Sequence, residues 1–85
     1  MERNEFLIAN AKRTLNEYKA LEDYAESLGK AESTYLYSRI IFQLEVLLTL
    51  IDPNKTEEIE ELKNELKYYQ EKREALKKQK ALHLN

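Results

Sequence analysis

The chain has 85 residues, which is enough for one small domain. Charged residues make up 35 % of it, and one glycine and one proline leave room for few breaks, a composition typical of long helices. The net charge of −2 gives no overall basic field for nucleic acid or anionic lipid, and the absence of cysteine excludes thiol chemistry. With neither a secretory signal nor an apolar segment of membrane-spanning length, we expect a cytoplasmic protein.

The first predicted helix spans residues 5–28, because apolar residues recur there at steps of three and four. They are Ile8, Ala11, Leu15, Tyr18, Leu21, Ala25 and Leu28. Gly29 follows in the position where a left-handed residue often ends a helix. Ser33 is then a possible N-cap, which predicts a second helix over residues 33–51, with Ala31 as an alternative start.

The second predicted helix is apolar on two sides. Its broad face contains Leu36, Tyr37, Ile40, Ile41, Leu44, Leu47, Leu48 and Ile51. Its second, nearly opposite face contains Tyr35, Phe42, Val46 and Leu50, with Arg39 and Gln43 along one border. A helix with two apolar faces must be covered twice. We expect other helices of the chain to cover the second face, with a second copy or another protein as the alternative.

The third predicted helix spans residues 54–82. Pro53 breaks the chain, and either Asp52 or Asn54 could cap the new helix. Its seam follows a heptad that weakens toward the C-terminus, where Arg73, Lys80 and His83 replace apolar residues. Because both turns are short, we predict a single all-α domain over residues 1–85. Its architecture is an antiparallel, up-down-up three-helix bundle with coiled-coil-like packing and a long C-terminal helix.

Charge is divided along this last helix. Residues 57–71 carry a net charge of −4 and residues 72–85 a net charge of +4, which complements the helix dipole. We expect the basic part to extend past the end of the first helix and form a basic overhang. Its residues are Lys72, Arg73, Lys77, Lys78 and Lys80.

Catalytic motifs are missing from the sequence. The lone histidine, His83, has no partner fixed by spacing, and no phosphate-binding loop or nucleophile elbow is present. The run from Glu57 to Glu61 resembles the paired Glu-x-x-Glu of all-helical, metal-dependent nucleotide hydrolases, whose sites need acids from two helices. The other acidic cluster, Glu22 to Glu26, is predicted at the opposite end of the bundle. We therefore predict no enzyme, metal or cofactor site.

The six tyrosines form the remaining pattern. Counting residues across the turns places five of them at one end of the bundle, near Arg39 and the basic overhang, with Tyr18 apart in the first seam. They could close the core there, or form an interaction patch, since tyrosine and arginine are enriched in binding hot spots. The predicted protein-interaction residues are Tyr35, Arg39, Phe42, Val46, Leu50, Tyr68, Tyr69 and Arg73.

Three functions fit these observations. The favoured one is a non-enzymatic protein-interaction module, such as an adaptor, inhibitor or assembly factor, acting as a homodimer or by docking a larger protein. Small accessory proteins of bacteria and phages have this character. The first alternative is nucleic-acid binding through the basic overhang, and the second is a structural coiled-coil spacer.

Overall fold

The computed structural model describes the backbone of residues 3–84 and the side chains of residues 3–78. Four helices follow one another: α1 (Arg3–Lys19), α2 (Glu22–Leu28), α3 (Lys30–Leu50) and α4 (Thr56–Leu84). Residues 3–84 contain no strand, so the predicted all-α class is confirmed. The finer prediction, an antiparallel three-helix bundle with coiled-coil-like packing, stays a prediction.

The first predicted helix is two helices, which corrects the sequence-based boundary of 5–28. Ala20 and Leu21 form a turn between α1 and α2, in which the Leu21 amide donates to the Tyr18 carbonyl at 3.0 Å. This bond spans three residues, as in a 3₁₀ turn, and tightens the backbone. Consequently Ala25 faces the core, whereas the predicted seam residues Leu21 and Leu28 are about half exposed.

Gly29 alone separates α2 from α3. Its φ of 130° and ψ of −173° lie in a region that essentially only glycine occupies, rather than in the left-handed helical region predicted for it. α3 therefore begins at Lys30, three residues before the predicted start. Ser33 is not an N-cap, because it is buried within α3 and its amide donates to the Gly29 carbonyl at 3.1 Å.

The second break is the turn around Pro53. The side chain of Asp52 accepts a hydrogen bond from the Asn54 amide at 2.9 Å, and the Asp52 carbonyl accepts one from the Lys55 amide at 3.0 Å. The Lys55 carbonyl accepts the first bond of α4, from Ile59. Lys55 therefore occupies the cap position, and neither predicted cap residue is used.

The core is organised around α3, which packs against each of the other three helices. Ile40, Leu44 and Leu47 are almost completely inaccessible, and the broad apolar face predicted for this helix provides most of the core. Facing it are Ala11 and Leu15 from α1, Ala25 from α2, and Leu62 and Tyr69 from α4.

Ion pairs join α1 to α4 beside this core. Lys12 contacts Glu58 at 3.1 Å, and Lys19 contacts Glu65. Both pairs join residues 46 positions apart, so the two helices run in the same direction. Of the helices in the described range, none is long and apolar enough to cross a membrane.

Candidate protein-interaction site

The outer face of α3, which we define as Tyr35, Arg39, Phe42, Val46 and Leu50, is only partly covered. Tyr35 is 64 % exposed and Phe42 is 56 % exposed, whereas Val46 and Leu50 are half-buried. The expectation that other helices of the chain bury this face is therefore wrong for its two aromatic residues. The physical reason is that α1, α2 and α4 pack against the core side of α3, and no helix within residues 3–84 covers these two aromatic side chains on the opposite side.

Arg39 is held at one end of the outer face by two tyrosine rings. Its guanidinium carbon lies 5.9 Å from the ring centroid of Tyr18 and 5.6 Å from that of Tyr35, within the range of cation–π attraction. Tyr18 belongs to α1, so this contact also fixes α1 against α3. Rings that contact a guanidinium through its flat faces leave its N–H groups available at the edges.

A groove continues from Phe42 along the boundary between α1 and α3. Its volume is about 390 Å³, and its apolar lining includes Leu7, Ala11, Val46 and Leu50. Asn10, Thr14 and Thr49 provide polar groups at the rim. The outer face of α3 therefore combines projecting aromatic side chains with an adjoining depression, the two shapes needed to pack against another helix.

Lys72 is the centre of a second cluster, in which α4 contacts α2 and α3. Its ammonium lies 3.7 Å from a carboxylate oxygen of Glu22 and 3.6 Å from one of Glu26. The same ammonium lies 5.1 Å from the ring centroid of Tyr37 and 5.2 Å from that of Tyr68. Ion pairs thus link the short helix α2 to α4.

Two tyrosine hydroxyls complete this cluster. Tyr69 donates to Glu22 at 2.5 Å, and Tyr37 donates to Glu26 at 2.6 Å. The rings of Tyr37 and Tyr69 pack with centroids 5.8 Å apart. The carboxylates of Glu22 and Glu26 therefore each accept a hydrogen bond from a tyrosine hydroxyl and also face the Lys72 ammonium.

These contacts shift the pKa values of the cluster. Burial, and then the bond to a carboxylate, raise the pKa of Tyr37 and that of Tyr69 above the usual value for tyrosine. The hydrogen bond from Tyr37, and then the charge of Lys72, lower the pKa of Glu26. Burial alone would lower the pKa of Lys72, but its contacts with the hydroxyls of Tyr37 and Tyr68 outweigh this and raise it.

The predicted basic overhang is corrected by this geometry. Lys72 contacts α2, and Arg73 donates to the Ser38 hydroxyl of α3 at 3.2 Å, so neither residue projects beyond the bundle. The Nε of Arg73 is buried and has no hydrogen-bond partner within the described residues. Lys77 and Lys78 are exposed, while the side chains of Lys80 and His83 lie outside the described range.

The predicted interaction residues therefore divide into two groups. The first group is the outer face of α3. The second group contains the predicted residues of α4, which are Tyr68, Tyr69 and Arg73. Tyr68 is 53 % exposed, but Tyr69 is a core residue with 5 % exposure, and Arg73 lies between α3 and α4. Tyr24, 63 % exposed, is not among the tyrosine contacts found between described residues.

Two features of the site were missed from sequence. The sequence does not predict the contact of Tyr18 with Arg39, because the spacing of Tyr18 places it in the apolar seam of the first predicted helix. The second feature is the cluster around Lys72. The sequence indicates part of it, because Lys72 follows Tyr68 by four positions and Tyr69 by three on α4, which places these side chains close together.

Acidic residues do not form a metal site within the described range. Side chains of residues 3–78 bring no three histidine, cysteine, aspartate or glutamate residues together around a common point. Glu58 instead pairs with Lys12 of α1, whereas Glu22 and Glu26 pair with Lys72. The two acidic clusters named in the sequence therefore have separate partners.

Comparison with protein-family models, curated proteins and solved structures found no match to this chain. Its function is therefore inferred from the geometry and chemistry of its own surface.

Proposed function

We propose that this chain is a non-enzymatic protein-interaction module, which acts as a homodimer or by docking a larger protein. The observation that carries the proposal is the exposure of Tyr35 and Phe42 on α3, the helix whose opposite side forms the core. A rigid, centrally packed helix that presents aromatic side chains to solvent is a preorganised binding surface, because little conformational entropy is lost when a partner covers it.

The composition of the outer face supports the same function. Tyrosine and arginine are the residue types most often found where binding energy is concentrated, and aromatic residues are enriched at interface cores. The contacts of Arg39 with the rings of Tyr18 and Tyr35 restrain its side chain before a partner binds. The groove beside Phe42 provides an apolar depression for a partner side chain.

The architecture that belongs to this proposal is the antiparallel, up-down-up bundle with coiled-coil-like packing, with α1 and α2 acting together as its first arm. The parallel direction of α1 and α4 and the central place of α3 support it. A cytoplasmic location also stays part of the proposal, on the grounds of cysteine-free composition.

The alternative of nucleic-acid binding gains no support from the structure. Lys72 and Arg73 make intramolecular contacts, which removes two of the five side chains expected to bind phosphate. The coiled-coil spacer is likewise unsupported, since it requires α4 to pair with its own copy along a seam that includes the half-buried Arg73. Both remain alternatives without an observation in their favour.

The test compares the parent protein with the double variant Tyr35→Ser/Phe42→Ser and with a control, Lys67→Ser, at an exposed position of α4. Solution mass is measured by light scattering over a wide concentration range, and bound proteins are identified after affinity capture. We expect the double variant to keep its helical content and lose an association that the parent and the control retain. The proposal is refuted if the parent protein forms no association, or if the double variant keeps every association that the parent forms.

A further inference from the structure

A cavity of about 420 Å³ opens where the end of α2 and the first turn of α3 meet α4. Its size is in the range of small-molecule sites. The wall is mostly apolar, with polar groups at a few positions, and it is lined by Glu26, Gly29, Lys30, Ser33, Tyr37, Lys72, Ala75 and Leu76. The cavity shares no residue with the groove beside Phe42 or with the outer face of α3.

Ser33 is buried at this wall without a hydrogen bond from its side chain. It is 4 % exposed, and its hydroxyl takes part in none of the side-chain hydrogen bonds between described residues. A hydroxyl inside a helix commonly bonds the carbonyl four residues back, as Thr49 does with Glu45 at 2.9 Å. Because a buried polar group without a partner is costly, the Ser33 hydroxyl is a group that a bound molecule would satisfy.

The start of α3 adds hydrogen-bond donors at the same end of the cavity. The first bond of the helix runs from the Ser33 amide to the Gly29 carbonyl, and no side chain of a described residue caps the helix. The amides of residues 30–32 therefore have no partner within the helix. Together with the Ser33 hydroxyl, they favour a ligand oxygen that accepts hydrogen bonds.

Glu26 offers the opposite kind of group. Its contacts with Tyr37 and Lys72, at 2.6 Å and 3.6 Å, both use Oε2. Within the described residues Oε1 has neither a hydrogen bond nor an ion pair, so it can accept one from a ligand N–H group. Lys72 is already paired with Glu22 as well, and the wall carries charges of both signs, so it favours a neutral ligand over an ion.

We propose that this cavity binds a small neutral molecule with an apolar body and a primary amide. The amide oxygen accepts a hydrogen bond from the Ser33 hydroxyl, and the amide N–H group donates one to Oε1 of Glu26. The apolar body packs on Ala75, Leu76 and the ring of Tyr37. The site does not use the outer face of α3, so it is independent of the proposed protein interaction.

Benzamide is the probe for this site, and its titration into isotope-labelled protein is followed through the backbone amide signals in NMR. We expect saturable shifts at Gly29, Ser33 and Leu76. The Kd should be on the order of 1 mM, because a ligand of this size has few atoms to contribute binding energy. Benzoate, which is charged, and N,N-dimethylbenzamide, which lacks an N–H donor, should bind at least about threefold more weakly.

Ser33→Ala separates a ligand contact from a structural role. Because the hydroxyl has no partner within the protein, its removal should leave the urea unfolding midpoint unchanged or raise it, while benzamide binding weakens about three- to tenfold. Ala75→Trp, at an exposed position of α4, should fill the cavity and abolish binding while the protein stays folded. The matched control is Ser27→Ala, which is exposed and outside the cavity and should bind benzamide as the parent does.

Each contrary result overturns a stated part of the proposal. The site is overturned if benzamide causes no saturable shift up to its solubility limit, if the shifts are confined to the groove beside Phe42, or if a folded Ala75→Trp variant still binds. A Ser33→Ala variant that lowers the unfolding midpoint and keeps the parent affinity overturns the role given to this hydroxyl. Equal binding of benzoate or N,N-dimethylbenzamide overturns the assignment to a neutral primary amide.

Discussion

The hydroxyl of Tyr69 offers a sensitive test of how α2 is attached. Tyr69 is a core residue with 5 % exposure, and its hydroxyl donates to the Glu22 carboxylate at 2.5 Å. Hydrogen bonds to charged groups contribute about 1.5–3 kcal/mol. Since the Glu22 side chain is 22 % exposed, water can replace part of the lost bond, and we expect the lower end of that range. Tyr69→Phe should therefore destabilise the protein by about 1.5 kcal/mol.

Urea unfolding followed by circular dichroism measures this change, and thermal unfolding should show a decrease of about 6–12 °C in Tm for a chain of this size. The matched control is the neighbouring Tyr68→Phe. Tyr68 is 53 % exposed and donates no hydrogen bond to a described residue, so its loss should stay within about 0.5 kcal/mol. Equal effects of the two substitutions, or a neutral Tyr69→Phe, would refute the attachment described above.

Three further predictions concern the same end of the molecule. Lys72→Met should lower the free energy of unfolding by about 1 kcal/mol at low salt. Denaturant titrations should show a smaller loss in about 1 M salt, where the Debye length is about 3 Å, and a loss that does not depend on salt would contradict an electrostatic attachment. Gly29→Ala should lower the free energy of unfolding by about 1–3 kcal/mol. The loss comes from backbone strain alone, because the nearest side-chain atom to an added Cβ is 4.0 Å away. A melting temperature unchanged from that of the parent would contradict the observed φ of Gly29. Because folding lowers the pKa of Glu26, its stabilising effect is present above the usual carboxyl pKa and is lost as the pH falls through the lowered value. Because folding raises the pKa values of Tyr37 and Tyr69, their stabilising effect is complete below the usual tyrosine pKa and is lost as the pH rises through the raised values. Ultraviolet titration of the folded protein should show Tyr37 and Tyr69 ionising above the usual tyrosine pKa, and the absence of such a late phase would disprove the assignment.

The helical class and the main break points were predictable from sequence. Gly29 and Pro53 are the only residues of their types, and both lie in connections between helices. The broad apolar face of α3 was also predictable, since its periodicity directly gives the buried residues Ile40, Leu44 and Leu47. These features depend on local backbone chemistry and on the helical repeat, which are present in the sequence itself.

The break between α1 and α2 has no such signal. Ala20 and Leu21 are good helix formers, and the apolar spacing continues through them without interruption. The chain turns there because α2 gains more from tertiary contacts than from continuing the helix: Ala25 enters the core, and two carboxylates reach Lys72. Propensity differences of a few tenths of a kcal/mol per residue are smaller than these contacts.

The sequence by itself determined that this chain is helical, where Gly29 and Pro53 interrupt it, and that α3 is apolar on two sides. Only the tertiary structure decided that the second side is left partly uncovered, with Tyr35 and Phe42 exposed. It also decided that Lys72 and Arg73 are used within the molecule. The physical reason is that periodicity records which side chains share a helix face, whereas the partner of each face depends on how whole helices pack.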